Sequence, residues 1–145
     1  RIHFHCIDAD PHAIAYARET CRHQRHQMTF YHKNALRFRS AERFDLVWSA
    51  GLLDYFTDRQ FIFLVKNLYR QLRDDAELIV GNFHPDNPSR DYMELIGDWH
   101  LNYRSEHDLI NIARQAGFGL NDIRIGAERE NVNLFLHIKQ GPTFL

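Results

Sequence analysis

The stretch Phe44-Asp45-Leu46-Val47-Trp48-Ser49-Ala50-Gly51-Leu52-Leu53-Asp54-Tyr55-Phe56 decides how the rest of the chain is read. Phe44, Leu46, Val47 and Trp48 make a short apolar run that Ser49-Ala50-Gly51 ends, the pattern expected of a strand buried on both faces and stopped by a tight turn. In open α/β sheets ligands gather just beyond the carboxyl ends of parallel strands, which makes Ser49, Ala50 and Gly51 candidates for a site. A buried strand also needs a small-residue turn for purely structural reasons, and this run leaves both readings open.

Upstream, Ile2 to Ile7 alternates apolar and polar side chains and ends at Asp8, after which Ala13, Ile14, Ala17 and Cys21 recur at helical spacing. Asp10 suits the N-cap of that helix and Pro11 its first position, where the missing N–H costs nothing. That explains Asp10 structurally. Asp8 precedes the cap at the strand end, where a carboxylate can accept hydrogen bonds from both hydroxyls of a ribose. Arg22 to Gln27 reads as a solvated helix end and loop. Met28-Thr29-Phe30-Tyr31 reads as a second strand closing on Lys33-Asn34-Ala35, and the Asn34 amide either meets the edge of a base or completes the turn.

Downstream, Thr57 and Gln60 form a capping box, and Phe61, Leu64, Val65, Leu68 and Leu72 make one apolar stripe that is core. Asp74-Asp75 is expected to turn the chain into a strand over Glu77 to Phe83. Two strand-helix-strand units therefore follow one another, and parallel pairing is expected in each. Ser105 and Asp108 cap a further helix with Leu109, Ile112, Ala113 and Ala116 inside and Gly117 closing it. Ile123-Arg124-Ile125 and Leu134 to Ile138 then read as an antiparallel hairpin joined by Glu128 to Asn133. The fold class is α/β: a mostly parallel sheet flanked by helices and ended by that hairpin.

His84 to Arg104 breaks the rhythm, and loops this long in compact domains are often functional. Pro85 and Pro88 stiffen its entry, while Tyr92, Met93, Leu95, Ile96, Trp99 and Tyr103 bring apolar area beside Arg90 and Arg104. That mixture suits a ligand with an apolar tail and an anionic head, the arginines forking onto a carboxylate. A small helix packed on the sheet edge with solvated arginines is the competing reading.

At 145 residues the chain fits one domain, residues 1–145, with 84–104 as a substrate lid. Eighteen basic and nineteen acidic residues leave a net charge of -1, too little field to gather nucleic acid or an anionic membrane. Cys6 and Cys21 lie outside any Cys-x-x-Cys and no apolar run is long enough to be a signal or membrane span, which fits the cytoplasm. The ten histidines include no His-Glu-x-x-His and no paired-cysteine neighbour, so no metal is expected.

The ordered series Asp8-Ala9-Asp10-Pro11, Asn34-Ala35, Phe44-Asp45-Leu46-Val47, capped helix, Leu78-Ile79-Val80, Gln115-Ala116-Gly117-Phe118 and final hairpin resembles the class I S-adenosylmethionine-dependent methyltransferases over nearly the whole chain. The resemblance implies a Rossmann-like fold and S-adenosyl-L-methionine as cofactor. It implies that Asp8, with Ala9, binds the ribose, Asn34 and Ala35 the adenine edge, and Ser49, Ala50, Gly51 and Leu52 the methionine and methyl end. Asn34 stands where Asp is commoner. Gly81-Asn82-Phe83-His84-Pro85, Asn87-Pro88-Ser89-Arg90 and Gly97-Asp98-Trp99 to Tyr103-Arg104 look like the fatty-acid methyl ester synthases of bacterial quorum signalling. This implies methyl transfer to the carboxylate oxygen of a long-chain acid, with His84, Arg90, Tyr92, Trp99, Tyr103 and Arg104 around it. A carboxylate is already nucleophilic at neutral pH, so alignment and desolvation carry such a reaction and no residue is assigned as a catalytic acid or base.

The family's first strand and glycine-rich loop are expected ahead of Arg1, and without them the sheet would keep unpaired edges. The expectation is therefore an N-terminally truncated domain, filled by upstream residues or by a homodimeric or strand-swapped partner, that binds cofactor weakly by itself. Two other classes fit less of the pattern. One is a catalytically inactive nucleotide-binding or dimerisation module; the other is an NAD-dependent oxidoreductase, which the terminal hairpin disfavours.

Overall fold

The computed structural model describes residues 2–141, and its contacts divide the chain into two compact units, residues 1–39 and 40–145. In the first unit, β1 (Phe4–Asp8) runs into α1 (Pro11–Thr20) and returns as β2 (Met28–His32), parallel to β1 with Phe4 opposite Met28 and Asp8 opposite His32. The helix starts where the sequence puts it: Asp10 accepts the His12 N–H at 2.8 Å and Pro11 follows. Arg22–Gln27 forms a 3-10 turn rather than an open loop. Ile14 is the one α1 residue that is buried.

In the second unit, β3 (Phe44–Ser49), α2 (Asp58–Tyr69) and β4 (Leu72–Phe83) make another parallel crossing. After α3 (Arg90–Leu95) and α4 (Glu106–Gln115), β5 (Ile123–Ala127) and β6 (Asn133–Lys139) form the antiparallel hairpin, giving the sheet order β3-β4-β6-β5. Helices α2 and α4 pack on each other and on the sheet. Their apolar stripes and one sheet face close the core, with Phe61, Leu64, Val65, Leu78, Val80, Leu109, Leu134, Leu136 and Ile138 out of solvent. Thr57 with Gln60, and Ser105 with Asp108, form reciprocal capping boxes, and Gly117 at φ +96° ends α4.

Two expectations are corrected. β3 is not buried on both faces: Leu46 and Trp48 are 52% and 57% exposed, Trp48 stacking on Phe135 at 5.4 Å, and among the described residues β3 pairs with β4 alone. Their side chains alternate away from the helix-covered face, where Val47 and Ser49 are half-buried. Leu72 belongs to β4 and not to the helical stripe, and Asp74-Asp75 is no turn between elements but an irregularity inside one long strand. The register skips from Phe44↔Leu72 to Leu46↔Glu77, and Asp75 takes φ 61° to absorb the extra residues.

Candidate functional site

The expected cofactor residues fall into two sets. In the first unit Asp8 ends β1 with an exposed side chain, and its Oδ1 accepts the Asp10 N–H at 2.8 Å. Ala9 follows, its carbonyl accepting from His32 Nε2 at 3.0 Å. Asn34 uses Oδ1 to cap the short turn Ala35–Arg37 through the Leu36 N–H at 2.9 Å, so the turn-completing role is met. In the second unit Ser49 ends β3 and Ala50, Gly51 and Leu52 follow. Gly51 has φ +79° and a Cβ there would meet nothing within 4 Å, so the turn presents backbone to open space at a strand end.

Both β3 and β4 end on the side where residues 50–57 and 84–104 lie, since the two strands are parallel. There the chain forms an open cleft of about 480 Å³ lined by Asp58, Pro85, Arg90, Asn102, Tyr103 and Arg104 among others. Arg90 lies over the Tyr103 ring at 4.5 Å and donates from Nε to Glu94 at 2.9 Å. Phe83 stands edge-on to both Tyr103 and Trp99, and Trp99 Nε1 donates to the Tyr55 hydroxyl at 2.8 Å. Beside them Tyr92, Leu95 and Ile96 are 69%, 82% and 72% exposed, leaving α3 with an uncovered apolar side. Thus Arg90, Trp99 and Tyr103 are brought together, and Tyr92 is near by along the chain but points to solvent. His84 does not line the cleft; its Nδ1 accepts the Asp86 N–H at 3.1 Å.

Arg104 does something other than expected. It is 3% exposed, and all three guanidinium nitrogens are engaged within the chain. Nε and Nη2 donate to Asp58 Oδ1 at 3.0 and 2.8 Å, Nη2 also reaches the Phe56 carbonyl at 2.6 Å, and Nη1 donates to Asn82 Oδ1 at 2.7 Å and toward the Leu53 and Asn102 carbonyls. No donor is left to fork onto a ligand carboxylate in this arrangement. Arg104 instead pins the end of the insert to the turn after β3, to α2 and to β4. Asn102 adds to this pinning, its N–H and Nδ2 donating to the Asp54 carbonyl at 2.7 and 2.9 Å.

The sequence around Asp54 assigns it no role, and a carboxylate inside the apolar run Leu52-Leu53-Asp54-Tyr55-Phe56 is the available signal of its burial. It is 1% exposed, and Oδ1 accepts the Phe83 N–H at 2.7 Å. Burial raises its pKa above the ordinary carboxylate value, against the lowering pull of the Phe83 N–H and Arg104. Among the described residues Oδ2 is buried with no partner, and so is the Tyr103 hydroxyl. Burial also raises the Tyr103 phenol, with Glu94 and Asp54 adding to it and Arg90 opposing. Each unpartnered buried polar atom costs ~1–3 kcal/mol. Among the described residues no group of histidines, cysteines or acids could hold a metal, and no helix is long and apolar enough to cross a membrane.

A sheet of this order, with its open site at the strand carboxyl ends and a closing hairpin, is a methyltransferase fold. Residues 1–75 match the family model described as "methyltransferase domain", and the chain belongs to that family. S-adenosyl-L-methionine is the cofactor that goes with this assignment; within the first unit Asp8 is a strand-end acid, and within the second Gly51 makes an open turn at a strand end. A search of curated proteins by sequence finds no match. Among solved structures, a possible exported protein from Bordetella parapertussis is 19% identical with a TM-score of 0.80, covering 96% of this chain and 53% of that one. The N-methyltransferase NodS from Bradyrhizobium japonicum is 19% identical at a TM-score of 0.63, covering 96% and 74%. The magnesium protoporphyrin IX methyltransferase ChlM from Synechocystis, with SAH bound, is 15% identical at 0.69, covering 94% and 63%. These likenesses are of fold, and the chain spans about half the length of the first.

Proposed function

We propose that this protein methylates the carboxylate oxygen of an apolar small-molecule acid, using S-adenosyl-L-methionine. Asp8 would hold the ribose hydroxyls, Asn34 and Ala35 the adenine edge, and the Ser49–Leu52 turn the methionine end. When bound, the cofactor supplies an electrophilic methyl group. The observation that carries the acceptor reading is Arg90: it lines the cleft, and among the described residues its side chain hydrogen-bonds only through Nε, which leaves its terminal nitrogens for a carboxylate. The Phe83, Trp99 and Tyr103 rings, with the uncovered side of α3, offer apolar area for the tail. In this reading residues 84–104 act as the substrate lid, closing water away from the carboxylate and raising its reactivity. Arg90 orients the head group, and its partner Glu94 keeps the guanidinium directed along α3.

Incubation with methyl-labelled cofactor and a panel of medium- and long-chain carboxylic acids, phenols and amines tests this. Label is expected in base-labile methyl esters, and Arg90→Ala should raise KM for the acid about tenfold, the loss of ~1.4 kcal/mol from one charge-assisted contact. Label appearing only on amines or phenols overturns the carboxylate assignment.

A further inference from the structure

Two faces of the second unit combine exposed apolar area with charge, and the charges are of opposite sign. On α2, Arg59, Ile62, Phe63, Lys66 and Arg70 line one groove of about 380 Å³. Their spacing puts them on a single side of the helix, opposite the buried Phe61, Leu64, Val65 and Leu68. Phe63 is 51% exposed and Ile62 half-buried in the middle of that side. The one acid of the helix, Asp58, is bonded to Arg104, and among the described residues no acid pairs with Arg59, Lys66 or Arg70.

The stretch around α3 shows the reverse. Tyr92, Leu95 and Ile96 are exposed, and so are Asp86, Asp91 and Asp98. Asp86 and Asp98 have only His84 and His100 as ionic neighbours, and among the described residues no lysine or arginine pairs with any of the three. The arginines of this stretch are engaged elsewhere: Arg90 donates to Glu94 and lies over Tyr103, and Arg104 is buried. A cationic face with an apolar centre and an anionic face with an apolar centre match each other in both respects. Both are exposed in the single chain, so neither covers the other within it.

We propose that two copies of this chain form a twofold dimer in which the α2 groove of each receives α3 of the other. A twofold axis makes the same contact twice, so one complementary pair of faces closes the assembly. Exposed ion pairs are weak singly; the apolar residues supply the affinity, and the charges choose the partner and the register. In this dimer the partner's Ile62 and Phe63 close over the side of α3 that the single chain leaves open, completing the site for the ligand's tail. The dimer itself does not rest on the proposed methyl transfer, because it is read as association whatever group is methylated.

Sedimentation equilibrium of the full chain tests this. The wild type is expected as a monomer–dimer equilibrium that added salt shifts toward monomer. Arg59→Glu/Lys66→Glu/Arg70→Glu and, separately, Asp86→Lys/Asp91→Lys should each weaken self-association about tenfold or more, because each reversal sets like charges against one another. Asp98, at φ 46°, is left unchanged, since a lysine there would be strained. Mixed in equal amounts, the two variants should pair with each other to within a few-fold of the wild-type affinity. Phe63→Ala should weaken the dimer while its salt dependence stays the same. Circular dichroism checks that each variant is folded. A wild type that is monomeric at its highest soluble concentration overturns the dimer and leaves the two faces to other partners. A dimer that survives both reversals, or folded reversal variants that fail to pair when mixed, overturns it too, and growth past two copies overturns the twofold arrangement. If a reversal variant does not fold, a wild-type dimer indifferent to both salt and Phe63→Ala overturns the assignment of these faces.

Discussion

Arg104 and Asp54 set the behaviour of the second unit at the residue scale, because each is a charged side chain almost fully out of water. Arg104→Ala would orphan Asn82 Oδ1 and several carbonyls, and should cost roughly 3 kcal/mol in urea unfolding. The exposed carboxylate of Asp58 contributes little of this. Arg104→Lys keeps the charge without the fork and should recover less than half; a loss under ~1 kcal/mol for the alanine variant would contradict the pinning role. For Asp54 the sign follows from its raised pKa. The native state holds its proton to higher pH than the unfolded chain, so the native state is favoured most below the ordinary value of 3.8 and loses that advantage as pH rises toward the folded value. Urea midpoints of wild type relative to Asp54→Asn should therefore fall as pH increases from about 3.5, by the linkage relation. A relative midpoint that climbs over that range would refute a raised value.

At the scale of elements, the helices are held by their ends and the sheet by one buried face. Thr57→Ala and Ser105→Ala should each cost ~1 kcal/mol by thermal or urea unfolding, since each removes a hydroxyl that caps a backbone N–H. The Ser105 effect carries a pH signature. The Ser105 hydroxyl and N–H hold the Asp108 carboxyl below its ordinary range, so this stabilisation is present above the ordinary value and is lost as pH falls through the folded one. Leu136→Ala, in the centre of β6 with no exposure, should cost ~2–5 kcal/mol. In β4 the left-handed Asp75 is the weak link: Asp75→Val should destabilise by ~1–2 kcal/mol, whereas Asp75→Gly should be close to neutral.

On the scale of the whole molecule the two units differ in how much structure each can bury. A two-stranded sheet with a single buried helix residue has little core, while the four-stranded sheet has two helices on one face. Amide hydrogen exchange should therefore be faster in β1 and β2 than in β4 and β6, by at least tenfold at matched intrinsic rates. Equal protection in the two sheets would show that β1 and β2 take their stability from more than their own contacts.

What could be read from sequence was local. Asp10 with Pro11, Thr57 with Gln60, Ser105 with Asp108 and the closing Gly117 act over one helical turn, and the two parallel crossings follow from strand and helix runs in short succession. The family followed from that order, and the strand-end positions of Asp8 and Ser49 with it. Tertiary structure alone decided that Leu72 joins a strand, that β3 shows Leu46 and Trp48 to solvent, that Arg104 turns inward and that Asp54 is buried with one oxygen unmatched. Those outcomes depend on hydrogen-bond partners 20 to 50 residues apart, such as Asn82, Phe56 and Asn102, and no local pattern records which distant carbonyl a guanidinium will find.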